Sequence, residues 1–459
     1  MRPSVTLRAS FRACRRTRDT EMGRCSLLWC GLNLEFRPLR RPHYSLRNTL
    51  DGHDILQSDL ISKLLATDDL GLPPDSYIYA LRPVGSAALA VLSSDNSIRT
   101  FDRSSLKLLP DGLIQNAHDS VTCLENWDDE GNVLATSGRD GVVRFWDRRT
   151  RKAVMQFENP KPHPLSALTT QAAASLLIAG AELQKDPPGD APIHAWDTRS
   201  PAAPRLSLLE SHTDTITELA LHPEQPSTLL SASTDGLVSI FDLRQSDEDD
   251  ALRAVLNHRS AVHHAGWLGA STTATSSSGS SASRDVWVFG TDETLGFYRV
   301  DDYDDADASQ NATTAAQSAA DEIKPISIGD VREKLGCEYV VNVYRSLSSG
   351  TLVVAAGNTT SQHLDLLPLQ SPAATDDSPL AYSCATTNPR ALRLPGAHGD
   401  EIVRDVWVDE SSGTLYSCGE DGKVRAWDAS EGEDVGDAKE ERKKEKKRNK
   451  KARERYRPY

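Results

Sequence analysis

The chain has little of what helical bundles are built from, with three Met and eight Phe in 459 residues. Aromatic residues make up 6% and the mean hydropathy is −0.47. No run of about 18 apolar residues occurs, which excludes a membrane-spanning helix. Cysteine is sparse and irregular, at positions 14, 25, 30, 123, 337, 384 and 418. An odd count without regular spacing argues against a disulfide framework and for a reducing compartment. Cys25 and Cys30 are too isolated for a zinc site, because neither a second pair nor a His-x3-His accompanies them.

Signatures of chemistry are missing too. There is no Gly-rich phosphate loop ahead of a helix and no Gly-x-Ser-x-Gly elbow, so neither a nucleotide cofactor nor a nucleophilic serine is expected. His258, His263 and His264 form the densest histidine group. They read as a strand entry with an adjacent loop, not as metal ligands. Asn311-Ala312-Thr313 and Asn358-Thr359-Thr360 match the glycosylation pattern, but no secretory signal accompanies them. The chain is expected to be no enzyme and to hold no cofactor, no metal and no membrane anchor.

What is present is Gly, Ser, Asp and Val, the mixture of short strands joined by turns. The net charge of −14 is unevenly distributed. Residues 1–50 hold eleven Arg against three acids, and residues 439–459 hold twelve Lys or Arg against four Glu. Each end therefore carries +8 and the body between them −30.

Internal repeats decide the fold. A His, a small-residue strand, Asp-Gly and a strand ending in an aromatic residue and Asp recur. The clearest copy runs from His118 through Thr136 and Asp140-Gly141 to Trp146-Asp147. Another runs from His398 through Ser417 and Asp421-Gly422 to Trp427-Asp428, and a third from His212 through Ser231 and Asp235-Gly236 to Phe241-Asp242. From His to final Asp they span 29 to 30 residues. Weaker copies end in Phe101-Asp102, Trp196-Asp197, Phe297-Tyr298-Arg299 and Gln362-His363-Leu364-Asp365, giving seven units.

The sequence resembles the WD40-repeat family over residues 55–430, and its repeat order and Lys-rich end are similar to the WD repeat-containing protein 89 family. The resemblance implies an all-β fold, a seven-bladed propeller of four-stranded blades, with disordered basic N- and C-terminal extensions at 1–54 and 431–459. It also implies buried hydrogen-bonded tetrads at His118, Thr136, Asp140 and Trp146, and at His398, Ser417, Asp421 and Trp427. A third set, His212, Ser231 and Asp235, has Phe241 in the Trp position. These side chains are structural, because an unpaired buried polar group costs about 1–3 kcal/mol. The blades are expected to end near 102, 147, 197, 242, 299, 365 and 428. Nothing strand-like is apparent after Asp428, so Leu60–Ala66 is expected to supply the outer strand of the last blade.

Inserts at Ser271–Ser283, Asp301–Asp321 and Gln370–Pro379 would all fall on one rim in this geometry, and only Gln184–Pro192 on the other. The trimmed rim, carrying the loops with His118, His212 and His398, is the expected docking face. The tail residues Lys443, Lys444, Lys446, Lys447 and Arg448 form a dense basic cluster. They read as a nuclear or nucleolar address, as an RNA contact through phosphates, or as a solvated helical or disordered tail. The Arg-rich start has the composition of a transit peptide, but Pro38 and Pro42 and the nuclear-type tail favour a disordered extension, or a wrongly chosen start codon, over a working presequence.

Three successive units end in Trp-Asp-Arg-Arg, Trp-Asp-Thr-Arg and Phe-Asp-Leu-Arg, placing Arg149, Arg199 and Arg244 alike. Such boxes are similar to those of substrate receptors for Cullin-4 ubiquitin ligases, where the Arg helps dock the adaptor; otherwise the Arg simply caps a surface turn. The expectation is a monomeric protein-binding scaffold within a nuclear or nucleolar complex. The alternatives are a ligase receptor and a cytoplasmic location. Fold alone does not choose among them.

Overall fold

The computed structural model describes residues 60–128, 130–161, 163–183, 189–268, 285–300, 323, 325–346, 351–369 and 391–434. Within them lie 28 strands, grouped in fours. The segment Leu60–Asp68 is β1. Blade 1 is β2–β5 (Ile78–Val84, Ala88–Ser93, Ile98–Asp102, Leu108–Ile114), and blade 2 is β6–β9 (Val121–Asn126, Val133–Gly138, Val142–Asp147, Lys152–Glu158). Blade 3 is β10–β13 (Leu165–Gln171, Leu176–Ala181, Ile193–Asp197, Leu206–Leu208), and blade 4 is β14–β17 (Ile216–Leu221, Thr228–Ser233, Leu237–Asp242, Leu252–Asn257). Blade 5 is β18–β21 (Val262–Trp267, Val286–Gly290, Thr294–Tyr298, Ile326–Asp330), and blade 6 is β22–β25 (Tyr339–Arg345, Leu352–Asn358, His363–Pro368, Leu392–Pro395).

Blade 7 joins both ends of the described chain. It comprises β26 (Val403–Asp409), β27 (Thr414–Gly419), β28 (Val424–Asp434) and, on its outside, β1. Strand β1 runs antiparallel to β28, with Leu64 opposite Trp427 and Asp68 opposite Val424. Its first residues, Leu60 and Ile61, also pair in parallel with Leu392 and Arg393 of β25, so blades 6 and 7 share one sheet. Strand β28 is longer than its sequence pattern suggests. The backbone does not leave the sheet at Asp428; β28 continues to Asp434, and that continuation pairs with Leu60 and Ile61.

Successive side chains of a strand point to opposite faces, and both faces of a blade pack on its neighbours: Trp146 joins the junction with blade 1 and Phe145 that with blade 3. Among the described residues there is one apolar cluster for each junction, the junction of blade 7 with blade 1 included. Between blades 2 and 3, for example, Phe145 and Phe157 meet Leu165, Leu177 and Trp196, with the Phe157 and Trp196 rings 6.1 Å apart. Leu81 and Phe101 of blade 1 pack on Tyr416 and Val424 of blade 7 in the same way. The chain is a closed, all-β, seven-bladed propeller.

The Asp-Gly turns have a steric reason. Gly141 has φ of 73°, and a Cβ there would sit 2.9 Å from the carbonyl of His163. Blade 6 departs from the repeat pattern. Strand β24 begins at His363 and runs to Pro368, so Asp365 lies inside the third strand and does not end it. There its carboxylate accepts from Arg393 at 2.6 and 2.7 Å. Residues 1–54, the inserts 271–283, 301–321 and 370–379, positions 184–188 of the fourth insert, and the tail cluster Lys443, Lys444, Lys446, Lys447 and Arg448 lie outside the described residues.

Candidate functional site

The repeat motifs place their polar side chains under one rim, where each inner strand begins. In blade 2 the Trp146 indole N–H donates to Thr136 Oγ1 at 2.9 Å, and Thr136 Oγ1 lies 2.8 Å from His118 Nε2. His118 Nδ1 is 3.0 Å from Asp140 Oδ1. Blade 7 repeats this with Trp427 to Ser417 at 3.0 Å, Ser417 to His398 at 2.9 Å and His398 to Asp421 at 2.6 Å. In blade 4 His212 reaches Ser231 at 2.7 Å and Asp235 at 3.1 Å, and Phe241 brings no donor. Burial pushes the His118 and His398 imidazoles below their usual range in spite of the adjacent carboxylates. A neutral ring then donates from Nδ1 to Asp and accepts the hydroxyl proton at Nε2, which satisfies every member.

An arginine completes the arrangement and was not singled out from sequence. Arg144 donates to Asp140 at 2.7 Å and Arg425 to Asp421 at 2.7 Å, both from the third strand. Arg99 holds Asp95 in the same way in blade 1. The signal was available: in all three the Arg follows the turn Asp by four residues. Blade 5 substitutes other partners, because Val288 replaces the hydroxyl residue. His258 there bonds Tyr298 Oη at 3.1 Å and Thr294 Oγ1 at 3.0 Å. His263 and His264 are not in a loop; they lie on β18, and His264 faces the centre of the ring.

That centre is a channel with a cavity of about 510 Å³, open at the rim that carries Asp75, Ser94 and Ser120. A bulge near the start of each inner strand sets which residue faces it. The residues just past the bulges are Ala80, Cys123, Ala167, Glu218, His264, Asn342 and Asp405, and all of them line the cavity. Blades 1 to 3 thus contribute small residues and blades 4 to 7 polar ones. Deeper in, Arg82 bridges Glu125 at 3.0 Å and Asp405 at 3.0 Å. Glu218 Oε2 lies 2.9 Å from His264 Nδ1. Enclosure raises the Glu218 carboxyl to about 8, helped by Asp405 and opposed by Arg82, and lowers the His264 imidazole to about 4. The Cys123 thiol, also enclosed, is pushed up to about 11 and is no nucleophile near neutrality.

On the opposite rim, Arg149, Arg199 and Arg244 occupy equivalent places on blades 2, 3 and 4. Their side chains are 85%, 75% and 60% exposed. Arg199 grips Asp197 at 2.6 and 2.9 Å, and Arg244 grips Asp242 at 2.9 Å, whereas Arg149 stands 3.8 Å from Asp147.

Comparison with known proteins matches three of these units, residues 112–147, 204–242 and 391–428, to the WD domain, G-beta repeat family. An uncharacterized WD repeat-containing protein of Saccharomyces cerevisiae is 30% identical over 78% of this chain and 80% of its own length. An uncharacterized WD repeat-containing protein of Schizosaccharomyces pombe is 25% identical over 77% of this chain and 95% of its own length. A WD repeat-containing protein 89 homolog of Dictyostelium discoideum is 24% identical over 39% of this chain and 46% of its own. Among solved structures, a chain of a mitotic checkpoint complex superposes with a TM-score of 0.54 at 15% identity, over 85% of this chain and 98% of that one. The last likeness shows the fold alone.

Proposed function

The chain belongs to the WD repeat family, and from that premise we propose that it is a non-catalytic scaffold that binds other proteins through the rim of His118, His212 and His398. The observation that carries this reading is the central cavity, whose lining reaches Asp75, Ser94, Asn96 and Ser120 in loops of that rim. A polar-edged concavity on a rigid frame is the usual setting for recognition. Reversing charge at Asp119 and Asp400, both exposed loop residues of that rim, is expected to remove most captured partners without altering the melting temperature. Capture unchanged by Asp119→Arg and Asp400→Arg together would overturn the reading.

A second reading, a Cullin-4 substrate receptor, draws support from the three equivalent exposed arginines on the other rim. A receptor loses its adaptor when Arg149 and Arg199 are changed to Ala. The scaffold reading expects the partners to remain on that double variant, as read by affinity capture and mass spectrometry.

We place the protein in the nucleus or nucleolus on the strength of the basic tail. Changing Lys443, Lys444, Lys446, Lys447 and Arg448 to Gln is expected to move a fluorescent fusion of the full chain into the cytoplasm. If localisation does not change, the cluster is not an address. Retention of RNA by the wild type that falls steeply with added salt would instead assign it to phosphate contact.

A further inference from the structure

The central channel is lopsided in both space and charge. On the side of blades 1 to 3, Ala80, Cys123 and Ala167 leave room, and across from them stand Glu218, His264, Asn342 and Asp405. Four carboxylates, Asp75, Glu125, Glu218 and Asp405, line the space with two guanidinium groups, Arg82 and Arg139, and Arg139 is paired with Glu182 at 3.0 Å. Arg82 is already committed, donating to Glu125 on one side and to Asp405 on the other. Asp405 is committed further, accepting the Leu81 N–H at 2.9 Å. Glu218 pairs with His264, a ring that burial keeps neutral down to about pH 4, and the charge of Arg82 reaches it only through space. Beside Glu218, the enclosed hydroxyl of Thr217 has no hydrogen-bond partner. A carboxyl that lacks a hydrogen-bonded cation thus stands opposite an empty volume of peptide dimensions.

We propose that the channel receives a cationic side chain, the guanidinium of an arginine or the ammonium of a lysine at the tip of a peptide segment, with Glu218 as the carboxylate that pairs with it. The inference rests on the reading of the His rim as the docking face, since that is where the channel opens. Small residues on blades 1 to 3 give the stem its path, and Glu218 lies at its end.

Proton linkage follows from the same groups. The Glu218 carboxyl, raised to about 8, binds a proton in the free protein near neutrality, and a cation at 2.5–3 Å or so favours the carboxylate instead. Binding then releases a proton, and affinity rises by up to about tenfold per pH unit until about pH 8, where it levels off. The other groups that face Glu218 do not reverse this sign. Arg82 stays charged, His264 protonates only near 4, and burial raises Asp405 as it raises Glu218. Tyr344 is pushed well above its usual range.

The test uses the full chain and a fluorescein-labelled peptide of residues 439–459 as the cationic probe, read by anisotropy at about physiological salt, where surface attraction is screened. Glu218→Gln is expected to weaken binding at least tenfold and to flatten its rise between pH 6 and 8. Asp249→Asn with Asp250→Asn, exposed on blade 4 away from the channel, is expected to change it less than twofold. Ala80→Met, which narrows the channel without touching a charge, is expected to weaken binding as well, and keeps the test decisive if the Glu218 variant melts abnormally. Equal binding by wild type, Glu218→Gln and Ala80→Met would overturn the proposal. So would a loss in the Asp249 and Asp250 double variant as large as that in Glu218→Gln.

The source of the cation is decided by a full chain with Lys443, Lys444, Lys446, Lys447 and Arg448 changed to Gln. Tighter probe binding by that chain shows that the protein's own tail competes for the channel; unchanged binding leaves the channel open to a partner's basic segment. If Glu218→Gln binds normally while the Asp119 and Asp400 reversal loses partners, only the channel inference fails. Should the reversal lose no partners, the docking reading itself fails.

Discussion

Deleting residues 60–68 is expected to abolish the single cooperative melt of the propeller. Those nine residues are β1, which the chain contributes from before blade 1 to the outside of blade 7. They pair with β28 from Leu60 opposite Asp434 to Asp68 opposite Val424, and the buried Ser62 hydroxyl donates to the Asp428 carbonyl. Without β1 the backbone of β28 becomes an open edge, and an open edge is an aggregation template. The loss also cuts the bond between the two ends of the ring. Leu70, buried against Ile78 and Tyr416, directly follows this strand and sits in the cluster that seals blade 7 to blade 1. A repeat array gains its stability from junctions between neighbours, and here one junction depends on a distant segment. The expected calorimetric trace is a broad, multistep transition with early aggregation. A sharp melt within a few degrees of the wild type would show that β1 is dispensable.

The second large effect concerns the tetrads. Ser417→Ala removes the acceptor of the Trp427 indole N–H and the hydroxyl that serves His398 Nε2, leaving two buried groups without partners. Each costs about 1–3 kcal/mol, so the loss is expected at about 2–6 kcal/mol in chemical denaturation. Ser231→Ala in blade 4 makes the informative contrast. Phe241 brings no N–H there, so only His212 loses a partner, and the expected cost is about half as large. Equal losses at the two positions would mean that the indole bond contributes nothing.

Both results bear on how far the sequence could be read. The three strong repeats carried their own geometry, because His, a hydroxyl, Asp and Trp recur at nearly fixed spacing and a buried polar chain tolerates few substitutions. Blades 5 and 6 were harder for a physical reason. Val288 and Val354 stand where the strong blades have Thr136, Ser231 or Ser417, so the spacing no longer had a polar anchor. In blade 6 Asp365 resembles a terminal repeat Asp but belongs to an ion pair with Arg393 inside the strand. The continuation of β28 past Asp428 leaves no mark in the sequence, because Ala-Ser-Glu-Gly-Glu-Asp has none of the apolar alternation of a half-buried strand.

The channel was the least legible part. Which side chain of an inner strand faces the centre depends on a bulge, and a bulge shifts the alternation by one residue without marking the sequence. Glu218, His264 and Asp405 sit in unrelated local contexts and become equivalent only once the blades are arranged around an axis. Arg82 and Glu125 likewise belong to different repeats and meet between the inner strands of adjacent blades. The rim arginines were the opposite case. Arg149, Arg199 and Arg244 were visible as a repeated phrase, and the geometry adds that the last two are clasped by their own blade's aspartate.

The measurement that tests the central claim most directly is quantitative affinity capture from cells, run in parallel on the wild type, the Asp119→Arg and Asp400→Arg variant, and the Arg149→Ala and Arg199→Ala variant. A scaffold that docks partners on the His rim loses them in the first variant and keeps them in the second. Partners retained by the first variant and lost from the second, with Cullin-4 and its adaptor among those lost, would contradict the account and make the opposite rim the working face.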